Sequence, residues 1–230
     1  MSRGALACAF VVVLAAGSVA GTTPDGAPAG EHDATAHHAF DDVEHWVSVF
    51  DDPARDEWQK PAFVVERLGV RAGMRVADLG AGTGYFSRYL SRAVAASGTV
   101  YAVDTEPKLV AYLRDRAERE HTDNVVPVLA SAAAPRLPAH GVDLVLIVDT
   151  YHHLDDRIAY LRRLARVLAP RGRVAVVDWE KRETPAGPEL AHRLARERVL
   201  EEMRDAGYRF VGDPVGLPYQ YCLVFTVTAR

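Results

Sequence analysis

Val76-Ala77-Asp78-Leu79-Gly80-Ala81-Gly82-Thr83-Gly84-Tyr85-Phe86 sets the architecture of this 230-residue chain. An apolar run from Met74 to Leu79 stops at glycine. From Gly84 to Ala95, the apolar residues Phe86, Tyr89, Leu90 and Ala93 recur at helical spacing. The pattern predicts a buried strand, a tight loop and a helix. Gly80 and Gly82 permit a sharp turn and close approach of backbone to a ligand, and the helix start offers free N–H groups to an anion. A dinucleotide-binding loop requires glycine or alanine at its sixth position, where helix and strand pack closely. Tyr85 stands there, and its bulk suits a cofactor carrying a carboxylate better than one carrying a pyrophosphate.

The alternation of strand and helix extends in both directions. Upstream, Asp52-Pro53 opens a helix that Trp58, Ala62, Val65 and Leu68 carry to Gly69. Downstream come a strand at Val100–Val103 closed by Asp104, a helix over Pro107–Glu120, and strands at Val125–Leu129 and Val142–Val148, the second closed by Asp149. A helix over Asp155–Leu168, a strand at Val174–Val177 closed by Asp178, and a helix over Pro188–Ala206 follow. Tyr208–Val211 and Tyr221–Val227 end the chain as two strands with no helix between them, so the last strand inserts antiparallel. Near-continuous apolar strands separated by amphipathic helices predict an α/β fold, a Rossmann-like, doubly wound, mostly parallel sheet with ligands at the strands' carboxyl ends.

Composition narrows the function classes. With 49% hydrophobic and 25% charged residues, the chain is neither disordered nor short of core. A net charge of −4, and arginines interleaved with acids, give no basic field for nucleic acid. Cys8 and Cys222 are too few for a disulfide scaffold or a four-ligand zinc site. Arg3, the apolar stretch Ala5–Ala16 and a small-x-small pattern ending at Ala20 predict a cleavable signal at residues 1–20, too short to span a bilayer. Its removal takes away Arg3 and no acid, which moves the net charge from −4 to −5. The expected location is therefore periplasmic or secreted, or cytoplasmic if the chain start is set too early. Residues 21–36 read as a flexible tether and 37–60 as a helical lid over the domain at 61–230. Phe40, Val43, Trp46, Val47 and Phe50 form the lid's apolar face, extended by Trp58, Gln59 and Lys60. A transition-metal site on His32, His37, His38 and His45 is the lesser reading of that segment.

Over about Pro61 to Val227, the sequence resembles the class I S-adenosyl-L-methionine-dependent methyltransferases, and within them the small single-domain group that includes quinone-biosynthesis enzymes. The resemblance rests on the glycine motif at 78–84, the acid ending the second strand and the antiparallel last strand. It implies seven strands in the order 3-2-1-4-5-7-6 and S-adenosyl-L-methionine as cofactor. Asp78 and the backbone of Gly80, Ala81, Gly82 and Gly84 would hold the methionine part, and Asp104 both ribose hydroxyls. Thr105 and Glu106 would flank the adenine. Many relatives bind the adenine amino group with an acid after the third strand. Here Leu129-Ala130-Ser131-Ala132 has none, so Ser131 or a backbone group must substitute.

Asp149-Thr150-Tyr151-His152-His153 leaves the fourth strand where the reactive methyl group would lie in such a fold. Methyl transfer is an in-line displacement that mainly needs positioning and exclusion of water. His152 or His153 has a suitable pKa to take a proton from an acceptor, and Asp149 contacts the cofactor or shapes the pocket. Asp149 and Asp178 close adjacent strands, but Trp179 stands where a magnesium-binding methyltransferase would supply asparagine, so no metal is expected. The leading expectation is a methyltransferase acting on a small-molecule acceptor. The alternative is an exported, non-catalytic binding module on the same fold; a nicotinamide oxidoreductase is disfavoured by Tyr85. The oligomeric state is left open.

Overall fold

A computed structural model describes residues 43–228. The predicted signal, the tether, and the part of the histidine-rich segment before Val43 lie outside the described residues. The chain opens with α1 (Val43–Phe50), α2 (Arg55–Gln59) and α3 (Pro61–Arg67). The sheet then builds through β1 (Arg75–Leu79), α4 (Ser87–Val94), β2 (Thr99–Asp104), α5 (Pro107–Arg119), β3 (Val125–Leu129) and β4 (Val142–Val148). A 3₁₀ turn at Tyr151–His153, α6 (Arg157–Leu164), β5 (Leu168–Trp179), α7 (Arg196–Asp205), β6 (Tyr208–Gly212) and β7 (Gln220–Val227) complete it. The strand order is β3-β2-β1-β4-β5-β7-β6, as expected. The first five strands in that order are mutually parallel, and β7 pairs antiparallel with both β5 and β6.

Both faces of the sheet are covered, which is why its central strands are apolar at nearly every position. Alternate residues feed opposite cores. Ala77, Val145, Ile147, Val176 and Leu223 pack with Leu161 and Leu164 of α6 and with Val199 and Met203 of α7. Val76, Leu144, Leu146, Val177 and Val224 pack with Val64 and Leu68 near α3 and with Leu90 and Val94 of α4. Each such fully buried aliphatic side chain contributes about 1.5–3 kcal/mol. Together they fix the register that brings Asp78, Asp104, Asp149 and Asp178 to one edge. The chain reverses its winding between β1 and β4, so that edge holds the crevice where doubly wound sheets bind ligands.

Three predicted helices are shorter than periodicity suggests. The helix from Pro53 breaks at Lys60, which sits at φ 47°, before α3 restarts with Pro61 as its first residue. Proline disfavours α geometry in the residue before it, and the break frees Trp58 to pack 5.0 Å from the Trp179 ring. The helix predicted to reach Leu168 stops at Leu164, because Leu168 pairs with Val142 across a register shift and begins β5. The helix predicted from Pro188 starts only at Arg196. Upstream of it the buried Arg193 guanidinium donates to the carbonyls of Pro188 (2.8 Å) and Arg182 (2.6 Å) and to Thr184 Oγ1 (2.8 Å). Those bonds need an irregular chain wrapped around one cation, which a continuous helix would not provide.

Candidate active site

The glycine loop is shaped from within. Gly80, Gly82 and Gly84 all have positive φ. The amides of Gly80 and Ala81 both donate to the Val103 carbonyl (2.8 and 3.0 Å), so these two groups form the loop and are not donors to a ligand. Asp78 is buried and accepts a 2.7 Å hydrogen bond from Ser87 Oγ at the start of α4. Burial pushes its carboxyl up to about 6 against that bond, so the charge Asp78 carries at neutral pH is held at a cost in stability.

Asp104 ends β2 beside this loop. Its Oδ2 accepts from the Gly82 amide (2.8 Å) and its Oδ1 from the Glu106 amide (3.0 Å). A carboxylate has about four lone-pair sites, so it retains acceptor capacity for a neighbouring hydroxyl. Burial raises its pKa although these amides oppose the shift. Thr105 is exposed, and Ser131 is half-buried in a tight bridge with Ala134 just beyond β3. β3 pairs Leu129 with Asp104, so Ser131 stands close to that carboxylate in the fold.

Residues 43–60 cover the loop. A Cβ placed on Gly82 would lie 3.3 Å from the Phe50 ring. Asp51 ties this segment down: its Oδ1 accepts from Thr83 Oγ1 (2.9 Å) and its Oδ2 from Arg116 Nη1 (2.6 Å), which also donates to the Thr83 carbonyl (2.9 Å). Asp149, at φ 52°, is reached by two buried glutamines. Gln59 Nε2 donates to its Oδ2 at 2.8 Å, and Gln220 Nε2 donates to its Oδ1. Burial raises Asp149 to about 6, opposed by the Arg55 charge and the Gln59 hydrogen bond.

His152 and Asp178 form a buried pair. His152 is 3% exposed and its Nδ1 lies 2.9 Å from Asp178 Oδ1. Asp178 also accepts from the Trp179 amide (2.8 Å). A proton on Nδ1 shared with the carboxylate leaves Nε2 as the basic nitrogen. Burial disfavours the imidazolium, but the Asp178 charge and hydrogen bond outweigh it, and the His152 pKa lies above its ordinary value. His153 stacks on His152 with ring centroids 4.1 Å apart. Tyr151 anchors the turn below by donating to Glu202 (3.0 Å), which also takes Arg157 and Arg198. Among the described residues, no three metal-capable side chains gather, and no helix is long and apolar enough to cross a membrane.

Asp78, Gly82, Asp104, Asp149 and His152 thus share one sheet edge, while Thr105 faces solvent. Sequence reasoning weighed Asp178 only as a metal ligand and overlooked Arg55 and Gln220. Asp178 was within reach, since an acid closing β5 must neighbour whatever leaves β4. An open depression of about 400 Å³ lined by Asp56, Lys60, Phe63 and Tyr89 contains none of the predicted site residues.

Comparison with known proteins bears on this edge. A family model described as a methyltransferase domain matches residues 77–176. The ubiquinone/menaquinone biosynthesis C-methyltransferase of Hahella chejuensis is 33% identical over 129 residues, 56% of this chain and 51% of that protein. Its counterpart in Pseudomonas paraeruginosa is 33% identical over 54% of this chain and 48% of its own length. The chain spans about half the length of these curated relatives. A crystal structure of a SAM-dependent methyltransferase from Aquifex aeolicus superposes with a TM-score of 0.77 at 29% identity, covering 81% of this chain and 99% of that one. A putative type 11 methyltransferase from Sulfolobus solfataricus shares the fold, with a TM-score of 0.60 at 22% identity over 75% of this chain and 94% of that one.

Proposed function

Because this chain belongs to the class I S-adenosylmethionine-dependent methyltransferase superfamily, we propose that it transfers a methyl group from S-adenosylmethionine to a small-molecule acceptor. The observation that carries the reading is the Asp104 carboxylate, held by the Gly82 and Glu106 amides beside the glycine loop at the end of β2. That position fits an acceptor for the ribose hydroxyls of the cofactor. The acids at the ends of β1, β2, β4 and β5 fit its positive sulfonium and ammonium groups. Ser131 and its neighbouring backbone face the adenine side.

When bound, the cofactor supplies an electrophilic methyl group on a sulfonium that is already a good leaving centre. The chain's own residues then have three tasks. Residues 43–60 cover the site and exclude water, lifting to admit the acceptor. The edge formed by Asp149 and the turn after it orients the acceptor near the methyl group. His152 takes the acceptor's proton at Nε2, and Asp178 holds the ring in the required tautomer and steadies the imidazolium. Relatives named as C-methyltransferases support carbon as the accepting atom. In the same reading residues 1–20 direct export, and the domain works in the periplasm or outside the cell.

The test is incubation of purified protein with methyl-tritiated cofactor and fractionated small-molecule extracts. We expect label in an extractable product, lost in Asp104→Ala. Binding of the cofactor with no label transferred to any fraction would instead favour a non-catalytic binding module.

A further inference from the structure

We propose that Arg55 recognises the carboxylate at the amino-acid end of the cofactor and so couples the seating of residues 43–60 to cofactor binding. The assignment rests on the function proposed above and adds a specificity-determining residue to it. Asp78, Asp104, Asp149 and Asp178 make the sheet edge strongly acidic. That edge attracts the cofactor's two cationic groups but repels its carboxylate, so an offsetting cation is required at the methionine end.

Arg55 is that cation. Two other cations near this edge are paired with carboxylates: Arg116 with Asp51 at 2.6 Å, and His152 with Asp178 at 2.9 Å. Arg88 has a buried Nε with no hydrogen-bond partner, but it lies farther from the Tyr85 ring than Arg55 does (4.9 against 4.2 Å) and is shared with Tyr89 of its own helix at 5.0 Å. Arg55 Nε and Nη2 donate to Gln59 Oε1 at 3.0 and 2.6 Å, and Nη1 donates to the Phe50 carbonyl. All three bonds end on neutral oxygens, and the nearest carboxylate oxygen, Asp149 Oδ2, is 3.6 Å away. The charge is therefore only partly offset, and two of the five guanidinium N–H groups are left for a ligand. The field of Arg55 reaches the carboxyl ends of the adjacent strands β1 and β4, since it lowers the pKa of Asp78 and of Asp149 against their burial.

Position follows from Tyr85. The Arg55 guanidinium stacks 4.2 Å from the centroid of that ring, and Tyr85 Oη donates to Asp56 on the same short helix. The bulky residue that breaks the dinucleotide pattern is thus the platform that holds a planar, bidentate donor over the glycine loop. Because Arg55 and Phe50 both belong to the covering segment, a carboxylate gripped by Arg55 would hold that segment down.

The experiment is calorimetric titration of the full chain with S-adenosylhomocysteine and with its decarboxylated analogue, the thioether that lacks only the carboxylate. Wild type should prefer S-adenosylhomocysteine by about tenfold to a hundredfold, the range of a charge-assisted hydrogen-bonded pair. In Arg55→Met that preference should vanish, because the loss falls on S-adenosylhomocysteine and not equally on the analogue. Arg55→Lys keeps the charge without the fork and should show an intermediate loss confined to S-adenosylhomocysteine. Equal weakening of both ligands, or of neither, in the two variants would overturn the assignment and leave the methyltransferase reading intact. Failure of wild type to bind S-adenosylhomocysteine would overturn both.

Discussion

Gly80→Ala should lower the stability of the domain by about 2–5 kcal/mol, combining left-handed backbone strain with overpacking. Gly80 sits at φ 77°, and an added Cβ would lie 2.8 Å from Thr150 Cβ and closer still to its Oγ1 and Cγ2. Thr150 cannot rotate away freely, because it is β-branched and its Oγ1 donates to the Val148 carbonyl at 2.9 Å. The clash would push apart the carboxyl ends of β1 and β4, where the proposed site lies. Gly207 provides the control: its φ is 94° but nothing lies within 4 Å of a Cβ there. Gly207→Ala should cost only about 1–2 kcal/mol, the backbone part alone. Urea unfolding of the two variants measures the difference directly, and equal losses would show that the Thr150 contact is not restrictive.

His152→Gln should reduce turnover about 10²- to 10⁴-fold, the usual contribution of a positioned base, while leaving S-adenosylhomocysteine affinity unchanged. The pH profile gives a separate signature. His152 must be neutral to accept a proton, so kcat/KM should rise with pH through its pKa, which Asp178 holds above the ordinary imidazole value. Asp178→Asn removes the charge that favours the imidazolium. The acidic limb of the profile should then move to lower pH while the plateau falls, since the ring loses the partner that fixes its tautomer. Both effects are read in a label-transfer assay with whichever acceptor accepts the methyl group. If His152→Gln loses cofactor affinity in proportion to turnover, the histidine packs the turn and is not the base.

Much of this architecture could be read from local pattern. β3 and β4 have the predicted bounds, and β1, β2, α4 and α5 fall within a few residues of theirs. Their apolar periodicity and glycine or acid boundaries are short-range signals that the fold reinforces. The boundaries that moved were set by distant partners: Leu168 by Val142, Arg193 by the carbonyls it organises, and Trp58 by Trp179. The site divides in the same way. Acids closing parallel strands must reach one edge, so Asp78, Asp104 and Asp149 could be placed without a structure. Gln59 and Gln220 lie 90 and 71 residues from Asp149 in sequence, and no local feature marks them as its partners. The amides of Gly80 and Ala81 are the opposite case. The motif marks their place, but only the structure shows that they serve Val103.

The central claim is that the edge carrying Asp104 binds S-adenosylmethionine. Calorimetric titration of the full chain with the product analogue S-adenosylhomocysteine tests it without knowledge of the acceptor. We predict saturable binding at a single site, weakened about tenfold to a hundredfold in Asp104→Ala through loss of the hydrogen bonds to the ribose. No detectable heat at millimolar ligand, or equal affinity in wild type and Asp104→Ala, would contradict it.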